Sequence, residues 1–305
     1  DVVLGSGTKA GNYNISFDAD NNALSITPRA ITLALTAEAA SKVYGELDPT
    51  LAVSVSGLGL ANGDAIGDVT GVMSRQAGED VGDYLVSLGA AAKAGNYSIT
   101  FNAADSTMRI TPRDITVQAD AAGKVYGGAD PTLTLSVLNA NADEGVAASD
   151  SLADVVGTLT RQAGEDVGAY DVILGAGAKA GNYNISFDAD NNAIVITPRN
   201  ISVQATSASK IYGNADPALA VTYTNTAADE GVAAGDGLSD VVGTLSRQAG
   251  EDVGTYDVVL GSGTKAGNYN ISFDTDNNAL SITPRAITLA LTAAAASKVY
   301  GEADP

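Results

Sequence analysis

Alternating apolar and polar residues predict short β-strands along the whole chain. In the segment 200–285, Ile201-Ser202-Val203-Gln204-Ala205 places its apolar side chains on one face and its polar ones on the other, as a half-buried strand does. The segment 210–212 continues the edge, and further strands are predicted at 219–223, 243–247, 256–260, 269–273 and 279–283. Clusters of Gly, Asn, Asp and Pro predict the turns between them, and the segment 236–242 predicts one helical turn.

The strand pattern recurs because the chain is built from internal repeats. Residues 1–49 match residues 257–305 at all but three positions, and the motif Lys-(Val/Ile)-Tyr-Gly recurs at spacings of 82, 86 and 88 residues. All eight prolines fall in two repeated slots, one of them Ile-Thr-Pro-Arg. We expect the array to continue beyond both ends of the chain. The motifs divide the chain into a C-terminal part of a repeat at 1–29, complete repeats at 30–113, 114–199 and 200–285, and an N-terminal part of a repeat at 286–305.

The density of strands indicates an all-β fold. Six or seven short strands in about 85 residues favour tandem immunoglobulin-like β-sandwich repeats. The motif Asp-x-Gly-x-Tyr at 252–256 supports this prediction, because it resembles the tyrosine corner, in which the ring packs inward and the hydroxyl binds the backbone. The alternative fold is a β-grasp-like repeat with one short helix at the segment 238–242.

The connection between repeats is short. Ile282-Thr283-Pro284-Arg285 runs directly into the first predicted strand of the next repeat, without a Gly/Ser linker. Proline fixes φ and keeps the preceding residue extended, so we expect a stiff junction and a rod in which each repeat contacts its neighbours in the same chain.

Composition and charge exclude most catalytic chemistry. The chain has no His and no Cys, and therefore no imidazole base and no thiol nucleophile. The 16 basic and 36 acidic side chains give a net charge of −20, which disfavours nucleic acid as a partner. No apolar run reaches about 18 residues, so no membrane span is predicted. We therefore expect that the chain is not an enzyme.

The acidic hairpin loops are the candidates for a metal site. Alternating oxygen ligands suit Ca²⁺, although the Gly and the bidentate Glu of an EF-hand loop are missing. The loop at 102–106 lacks most of the ligands, and Asp and Asn are also ordinary turn residues. A plain turn is the favoured interpretation, and no other cofactor is expected. The candidate ligands are Asp18, Asp20, Asp188, Asp190, Asp274 and Asp276.

Adjacent carboxylates recur beside an arginine in each complete repeat. The pairs are Glu79-Asp80, Glu165-Asp166 and Glu251-Asp252, and they follow Arg75, Arg161 and Arg247. Neighbouring residues on an extended chain point to opposite faces, which is poor geometry for a catalytic pair. The predicted role is a structural contact between the arginine and a carboxylate. A junction metal site built from the Asp-Pro and hairpin acids is the alternative.

Glycan binding has little support in the sequence, because it needs exposed aromatic platforms. There is no Trp, and eleven of the 12 Tyr occupy repeat positions where core or corner roles are expected. Only Tyr223 lies outside the pattern, and its predicted role is that of a strand residue.

The combined motifs resemble the MBG/YDG-type repeat domains of bacterial surface adhesins, including filamentous-haemagglutinin-like and biofilm matrix exoproteins. The resemblance rests on Lys-(Val/Ile)-Tyr-Gly with Asp-Pro, Arg-x-Ala-Gly-Glu-Asp-Val-Gly-x-Tyr, Ala-Gly-Asn-Tyr-x-Ile-x-Phe and Ile-Thr-Pro. It implies a secreted or cell-surface stalk or matrix fibre that projects an adhesive tip. Surface glycans or proteins would be bound by regions outside this chain, and the family assigns no catalytic residues.

Two other functions remain open. One is a ligand-binding repeat module, with Ca²⁺ or a glycan at loops or junctions. The other is self-association into fibres by strand exchange, in which residues 1–29 of one molecule and 286–305 of another complete one repeat.

Overall fold

The computed structural model describes residues 1–36, 39–102, 106–139 and 141–305. Their regular secondary structure is mainly β-strand, in several small sheets, with one short α-helix and one single-turn 3₁₀ helix in each complete repeat. The α-helices are α1 (Gly67–Thr70), α2 (Leu152–Val156) and α3 (Leu238–Val242). The 3₁₀ helices are Ala10–Asn12, Ala94–Asn96, Ala180–Asn182 and Ala266–Asn268. None of the helices in the described ranges is long and apolar enough to cross a membrane. The prediction is confirmed as far as a mostly β structure with tandem repeats.

The strands recur in the same order in each complete repeat. The first repeat contains β1 (Arg29–Leu35), β2 (Ser41–Val43), β3 (Val53–Gly57), β4 (Ser74–Arg75), β5 (Gly82–Ser87), β6 (Tyr97–Phe101) and β7 (Thr107–Thr111). The second contains β8 (Arg113–Ala119), β9 (Ala122–Val125), β10 (Leu135–Val137), β11 (Thr160–Arg161), β12 (Gly168–Tyr170), β13 (Val172–Ile173), β14 (Tyr183–Phe187) and β15 (Ile194–Thr197). The third contains β16 (Arg199–Ala205), β17 (Ala208–Ile211), β18 (Val221–Tyr223), β19 (Ser246–Arg247), β20 (Gly254–Tyr256), β21 (Val258–Val259), β22 (Tyr269–Phe273) and β23 (Leu280–Thr283).

Each complete repeat contributes one leading sheet and one trailing sheet. The leading sheets, centred on the first strand of each repeat, are β3-β1-β6, β10-β8-β14 and β18-β16-β22. The trailing sheets, centred on the last strand, are β2-β7-β5-β4, β9-β15-β12 and β17-β23-β20. Two further two-stranded sheets are β11-β13, whose strands flank β12 in sequence, and β19-β21, whose strands flank β20.

The strand pairing does not confirm the immunoglobulin-like arrangement. Each leading sheet is mixed, because β1 pairs antiparallel with β3 but parallel with β6, whereas immunoglobulin-like sandwiches consist of antiparallel sheets. The short helix that the β-grasp-like alternative predicted at 238–242 is present as α3. Alternation of apolar residues shows only which face of a strand is buried, and it has the same period for both pairing directions.

The chain packs as two compact units whose limits differ from the repeat boundaries. The first unit comprises Asp1–Gln118, Leu135–Thr160 and Leu174–Asp188, and the second comprises Ala119–Thr134, Arg161–Ile173 and Ala189–Pro305. The middle repeat is therefore divided, with most of its leading sheet in the first unit and its trailing sheet in the second. The repeat boundaries remain a prediction about the sequence period.

The main buried cores explain this division. In the first unit, Tyr44, Met108 and Ile110 of the first repeat pack with residues of the second repeat that include Ile115 and Val155. The second unit contains the matching core of the next pair of repeats. Each of these cores thus joins the trailing sheet of one repeat to the leading sheet of the next. The leading sheet of the first repeat has a smaller core made of Ile31, Leu33, Val69 and Tyr97.

The predicted short connection is confirmed at the two junctions between complete repeats. Pro112 alone separates β7 from β8, and Pro198 alone separates β15 from β16. Proline has no amide hydrogen and cannot continue a ladder of hydrogen bonds, so the chain leaves one sheet and enters the next within a single residue.

Candidate functional site

The repeat motifs bring four charged side chains together in each complete repeat. In the first repeat, Lys42 lies in β2 and Asp48 belongs to the Asp-Pro turn. Arg75 ends β4, and Glu79 follows it four residues later. The Lys42 ammonium lies 2.6 Å from both Asp48 and Glu79, and the Arg75 guanidinium binds the same two carboxylates, at 2.6 Å from Asp48. We call this group the ion quartet. The predicted contact between arginine and carboxylate is confirmed.

The ion quartet recurs with nearly the same geometry in the other complete repeats. Its Lys–Asp distances are 2.7 and 2.6 Å, and its Arg–Asp distances are 2.9 and 2.7 Å. The members are Lys124, Asp130, Arg161 and Glu165 in the second repeat, and Lys210, Asp216, Arg247 and Glu251 in the third.

The ion quartets keep their side chains charged. Hydrogen bonds from Arg161 and then Lys124 lower the pKa of Asp130 to about 2. Hydrogen bonds to Asp216 and Glu251 raise the pKa of Lys210 above its usual value. A general acid or base works best with a pKa near the operating pH, and these shifts move both groups away from neutrality. The arrangement therefore suits a structural clamp.

A tyrosine covers each ion quartet. The Arg75 guanidinium lies 5.1 Å from the centroid of the Tyr84 ring, and the Tyr84 hydroxyl donates to the Asp80 carbonyl at 2.6 Å. A Cβ on Gly78, which has φ of +144°, would lie 2.4 Å from the same ring, so this position requires glycine. The hydroxyl-to-backbone bond predicted for a tyrosine corner is confirmed at Tyr256, which donates to Asp252 at 2.8 Å.

A second polar cluster lies where two repeats meet. The hydroxyls of Tyr44, from the first repeat, and Tyr183, from the second, both donate to Asp150, at 2.9 and 2.7 Å. The two rings meet edge to face, with centroids 5.4 Å apart. The backbone amide of Ala147 donates to the Tyr183 hydroxyl at 3.0 Å, which leaves that hydroxyl's hydrogen for the carboxylate.

Burial and hydrogen bonding act against each other at Asp150. Burial raises its pKa, but hydrogen bonds from Tyr183 and Tyr44 lower it overall. Burial, together with the bond to Asp150, raises the pKa of Tyr183 well above its usual value. The cluster thus contains an ionised carboxylate and two neutral phenols, which is the protonation state that two donated hydrogen bonds require.

Asn182 and Arg113 complete this junction. Asn182 accepts from the Val81 amide and donates to the Asp80 carboxylate, both at 2.8 Å. Arg113, the last residue of Ile-Thr-Pro-Arg, is 6% exposed. Its guanidinium donates to the Tyr44 carbonyl at 3.4 Å, and also to the carbonyls of Ala142, Glu144 and Gly145. Arg113 thus donates to backbone carbonyls on both sides of the repeat boundary.

The junction has two sides, which we name by their residues. The junction plug is the Tyr44-Gly45 turn together with Asp80 and Val81 of the preceding repeat. The junction socket is formed by Arg113, at the repeat boundary, and by Asp150, Asn182 and Tyr183 of the following repeat. In the second unit, Tyr126 and Tyr269 donate to Asp236 at 3.0 and 2.7 Å, and Asn268 and Arg199 make the matching bonds.

Sequence reasoning missed the junction socket, although a signal for it was present. The aspartate precedes its tyrosine by 33 residues in all three complete repeats, at Asp64 and Tyr97, Asp150 and Tyr183, and Asp236 and Tyr269. The motif between them keeps its spacing too, since Arg75 and Tyr84 are as far apart as their counterparts in the other repeats. The signal was therefore the recurrence of an aspartate at the same place in every complete repeat.

The predicted Ca²⁺ loops contain hydrogen-bonded turns. The Asp276 amide donates to the Asp274 carboxylate at 3.0 Å, and Asn277 donates to the Asp274 carbonyl, also at 3.0 Å. Asp18 and Asp20 form the matching turn, and Asp188 and Asp190 occupy the same loop of the second repeat. Within the described ranges, no group of three or more acidic residues could hold a metal ion. Residues 103–105 of the remaining loop lie outside those ranges, so Ca²⁺ binding stays a prediction.

Comparison with known families agrees with the repeated motifs. A profile of the MBG domain (YGX type) matches residues 33–107, 115–192 and 201–281. No curated protein and no solved structure matches the chain. The profile covers most of the chain, and each match includes an ion quartet. The chain therefore belongs to the MBG domain family of the YGX type and contains three tandem repeats of that domain.

Proposed function

We propose that this chain is a structural region of an extracellular bacterial adhesin or biofilm matrix fibre, a stalk that holds an adhesive tip away from the cell. MBG repeats are typical of surface proteins, and a tandem array is consistent with an adhesin-like repeat region. The protein is secreted or displayed on the cell surface. Its immediate partners are the neighbouring repeats of the same chain.

The shared core is the observation that carries this proposal. Met108 and Ile110 of one repeat are buried against residues of the next, and one proline separates the two repeats. Bending at such a junction exposes apolar surface and breaks the bonds of Arg113 and Asp150. A stalk needs this resistance, because its reach depends on the angle between successive repeats.

A non-enzymatic role is part of the proposal. The recurring charged residues, which would be the first candidates for chemistry, are paired within the ion quartets and the junctions. Their pKa shifts favour permanent charge over proton transfer. Their arrangement supports a role in fixing turns and junctions.

Small-angle scattering from arrays of increasing length tests the proposal. Arrays with one, two or three extra copies of residues 114–199 are compared with arrays that carry a flexible Gly/Ser linker after each junction proline. We expect the maximum dimension to grow by a constant amount per added repeat, and to grow more slowly in the linker series. Growth with the square root of repeat number in both series, as for flexible beads, would contradict the stalk role.

A further inference from the structure

Two pairs of tyrosine rings lie in contact, and each pair joins two repeats. Tyr44 and Tyr183 meet edge to face, with centroids 5.4 Å apart and ring planes at 70°. Tyr126 and Tyr269 repeat this geometry, also at 5.4 Å and with ring planes at 71°. Each junction therefore brings together two phenols that are far apart in sequence, one from each of the repeats that meet there.

Both phenols of a pair bind the same carboxylate oxygen. The hydroxyls of Tyr44 and Tyr183 donate to Oδ2 of Asp150, and the second pair shares Oδ2 of Asp236 in the same way. The two phenol oxygens of a pair are thus no more than two hydrogen bonds apart. The ring carbons ortho to those oxygens lie at the ends of the rings that meet this carboxylate. These carbons matter because two tyrosyl radicals join through them.

The shared carboxylate is positioned to take the phenol protons. A phenol becomes strongly acidic when it loses an electron, so oxidation is favoured where a base already accepts its hydrogen bond. Asp150 is ionised and accepts both hydroxyls of the first pair. Burial raises the pKa of Tyr183, which keeps this ring a neutral phenol until an electron is removed. Each junction thus contains two oxidisable rings and the base that their oxidation requires.

A cavity gives small molecules access to the first pair. It has a volume of about 400 Å³, and Tyr44, Asp150 and Lys179 are among the residues that line it. The four paired rings are only 3–7% exposed, so a ring of another chain cannot reach them and coupling is confined to the pair.

The composition of the chain directs one-electron oxidation to tyrosine. The chain has no Cys and no Trp, the other side chains that readily lose one electron, but it has 12 Tyr. Its two methionines react differently, because they take up an oxygen atom and become sulfoxides. Oxidising equivalents that remove single electrons are therefore left to the phenols.

We propose that Tyr44 and Tyr183 form a covalent dityrosine cross-link across the first junction, and that Tyr126 and Tyr269 form one across the second. Each link consumes two equivalents of a one-electron oxidant of the peroxide-derived class, such as a peroxidase intermediate, which takes one electron from each phenol. In the first junction, Asp150 accepts the two phenol protons in turn and passes them to solvent.

The coupling step balances within the pair. The two radicals join through a new bond between one ortho carbon of each ring. The hydrogen on each of these carbons then moves to the phenol oxygen, which restores two aromatic phenols. The net change is the loss of two hydrogen atoms per link, as two protons and two electrons. The rings must move closer together for this bond to form, and their inclined planes suit it because linked rings are twisted about the bond that joins them.

The cross-link makes a junction permanent. A linked junction cannot open unless a carbon–carbon bond breaks, so the shared core beneath it stays covered. The link also closes a long loop in the unfolded chain, which lowers the entropy of that state and stabilises the folded one. Cross-linking requires only the geometry of the junctions and does not depend on the stalk function.

Oxidation of the dilute full chain by a peroxidase and hydrogen peroxide tests the proposal. The expected product is a monomer with dityrosine fluorescence whose mass is lower by two hydrogens per link. Peptide mapping should join position 44 to 183 and position 126 to 269. The same treatment in urea, where the paired rings are separated, should abolish both links, while the exposed Tyr13 and Tyr300 still react.

Substitutions in one junction leave the other as an internal control. Tyr44→Phe keeps the ring but removes the phenol, so the first link is lost and the second still forms. Tyr84→Phe, outside both ring pairs, is the matched control and forms both links. Asp150→Asn keeps a hydrogen-bond acceptor but removes the base, and should slow the first link at least about tenfold, because a positioned base commonly contributes more than that.

Three results would overturn the proposal. The first is an oxidised monomer that has lost no hydrogen, and the second is a pair of links that forms equally well in the unfolded chain. Either result leaves the stalk function untouched. The third is an unchanged rate for the first link in Asp150→Asn, which would remove the carboxylate from the reaction.

Discussion

The same residue type has different energetic roles at equivalent positions of the array. The arginine of Ile-Thr-Pro-Arg is buried at Arg113 and Arg199, but exposed at Arg29 and Arg285. The buried guanidiniums have backbone carbonyls as partners, and the orientation of those carbonyls is fixed by the adjoining loop. Sequence alone cannot distinguish the two situations, because burial at this position depends on the neighbouring repeat.

Arg113→Ala should therefore destabilise the chain far more than Arg29→Ala. The first substitution leaves buried carbonyls without a donor, which costs about 2–3 kcal/mol. The second removes an exposed side chain and should change the free energy of unfolding by less than about 0.5 kcal/mol. Urea unfolding followed by circular dichroism measures both. Equal losses would contradict the junction role of Arg113.

The ion quartets predict a loss of stability in acid. The folded-state pKa of Asp130 and of Asp216 is about 2, below the ordinary value of 3.8. Their contribution is therefore complete above pH 3.8 and disappears as the pH falls towards 2.

Urea midpoints measured between pH 5 and pH 2 test this prediction. The double variant Asp130→Asn with Asp216→Asn should be less stable at neutral pH and should lose less stability across the acid range. A parallel fall in both proteins would show that other carboxylates cause the acid sensitivity.

At the level of secondary structure, a segment forms a strand only where a partner strand is available to pair with it, and its local sequence does not decide this alone. The sequence Tyr-Asn-Ile-Ser-Phe occurs identically at 13–17 and in β22. In β22 it pairs in parallel with β16, and Tyr269 is 7% exposed. At 13–17, where all five residues are described, it forms no strand, and Tyr13 is 72% exposed. Intrinsic β-propensity is the same in both copies, so packing decides the outcome.

Hydrogen exchange should distinguish these identical segments. The amides of β22 that bond to β16 should exchange at least about a hundredfold more slowly than the matching amides at 13–17, because they open only with the sheet. Mass spectrometry of peptic fragments gives both rates in one sample. Similar rates would contradict the dependence on a partner strand.

The positions of the elements were more predictable than their pairing. The prediction of a strand at 269–273 and of a helical turn within 236–242 agrees with β22 and α3. The strand prediction depends on the local alternation of apolar and polar residues, and the helix prediction depends on the residue types of a short local segment. The parallel pairing of β16 with β22, and the bond between Tyr126 and Asp236, join residues 70 and 110 positions apart. Local patterns carry no information at that range.

At the scale of the whole molecule, the period of the sequence and the period of packing are the same length but out of phase. A complete sequence repeat runs from junction to junction, whereas each main core takes its trailing sheet from one repeat and its leading sheet from the next. The sequence repeats could be identified from recurring motifs. The sequence could not show where each core begins and ends relative to the repeats, because this depends on which sheets face each other after the proline.

This offset has a consequence for arrays of different length. Adding or removing one full period of sequence supplies or removes one leading and one trailing sheet together. Each remaining sheet then keeps a counterpart of the same kind, and no interior apolar face is left uncovered. Removing only the trailing sheet of one repeat would instead leave the leading sheet of the next repeat without its counterpart.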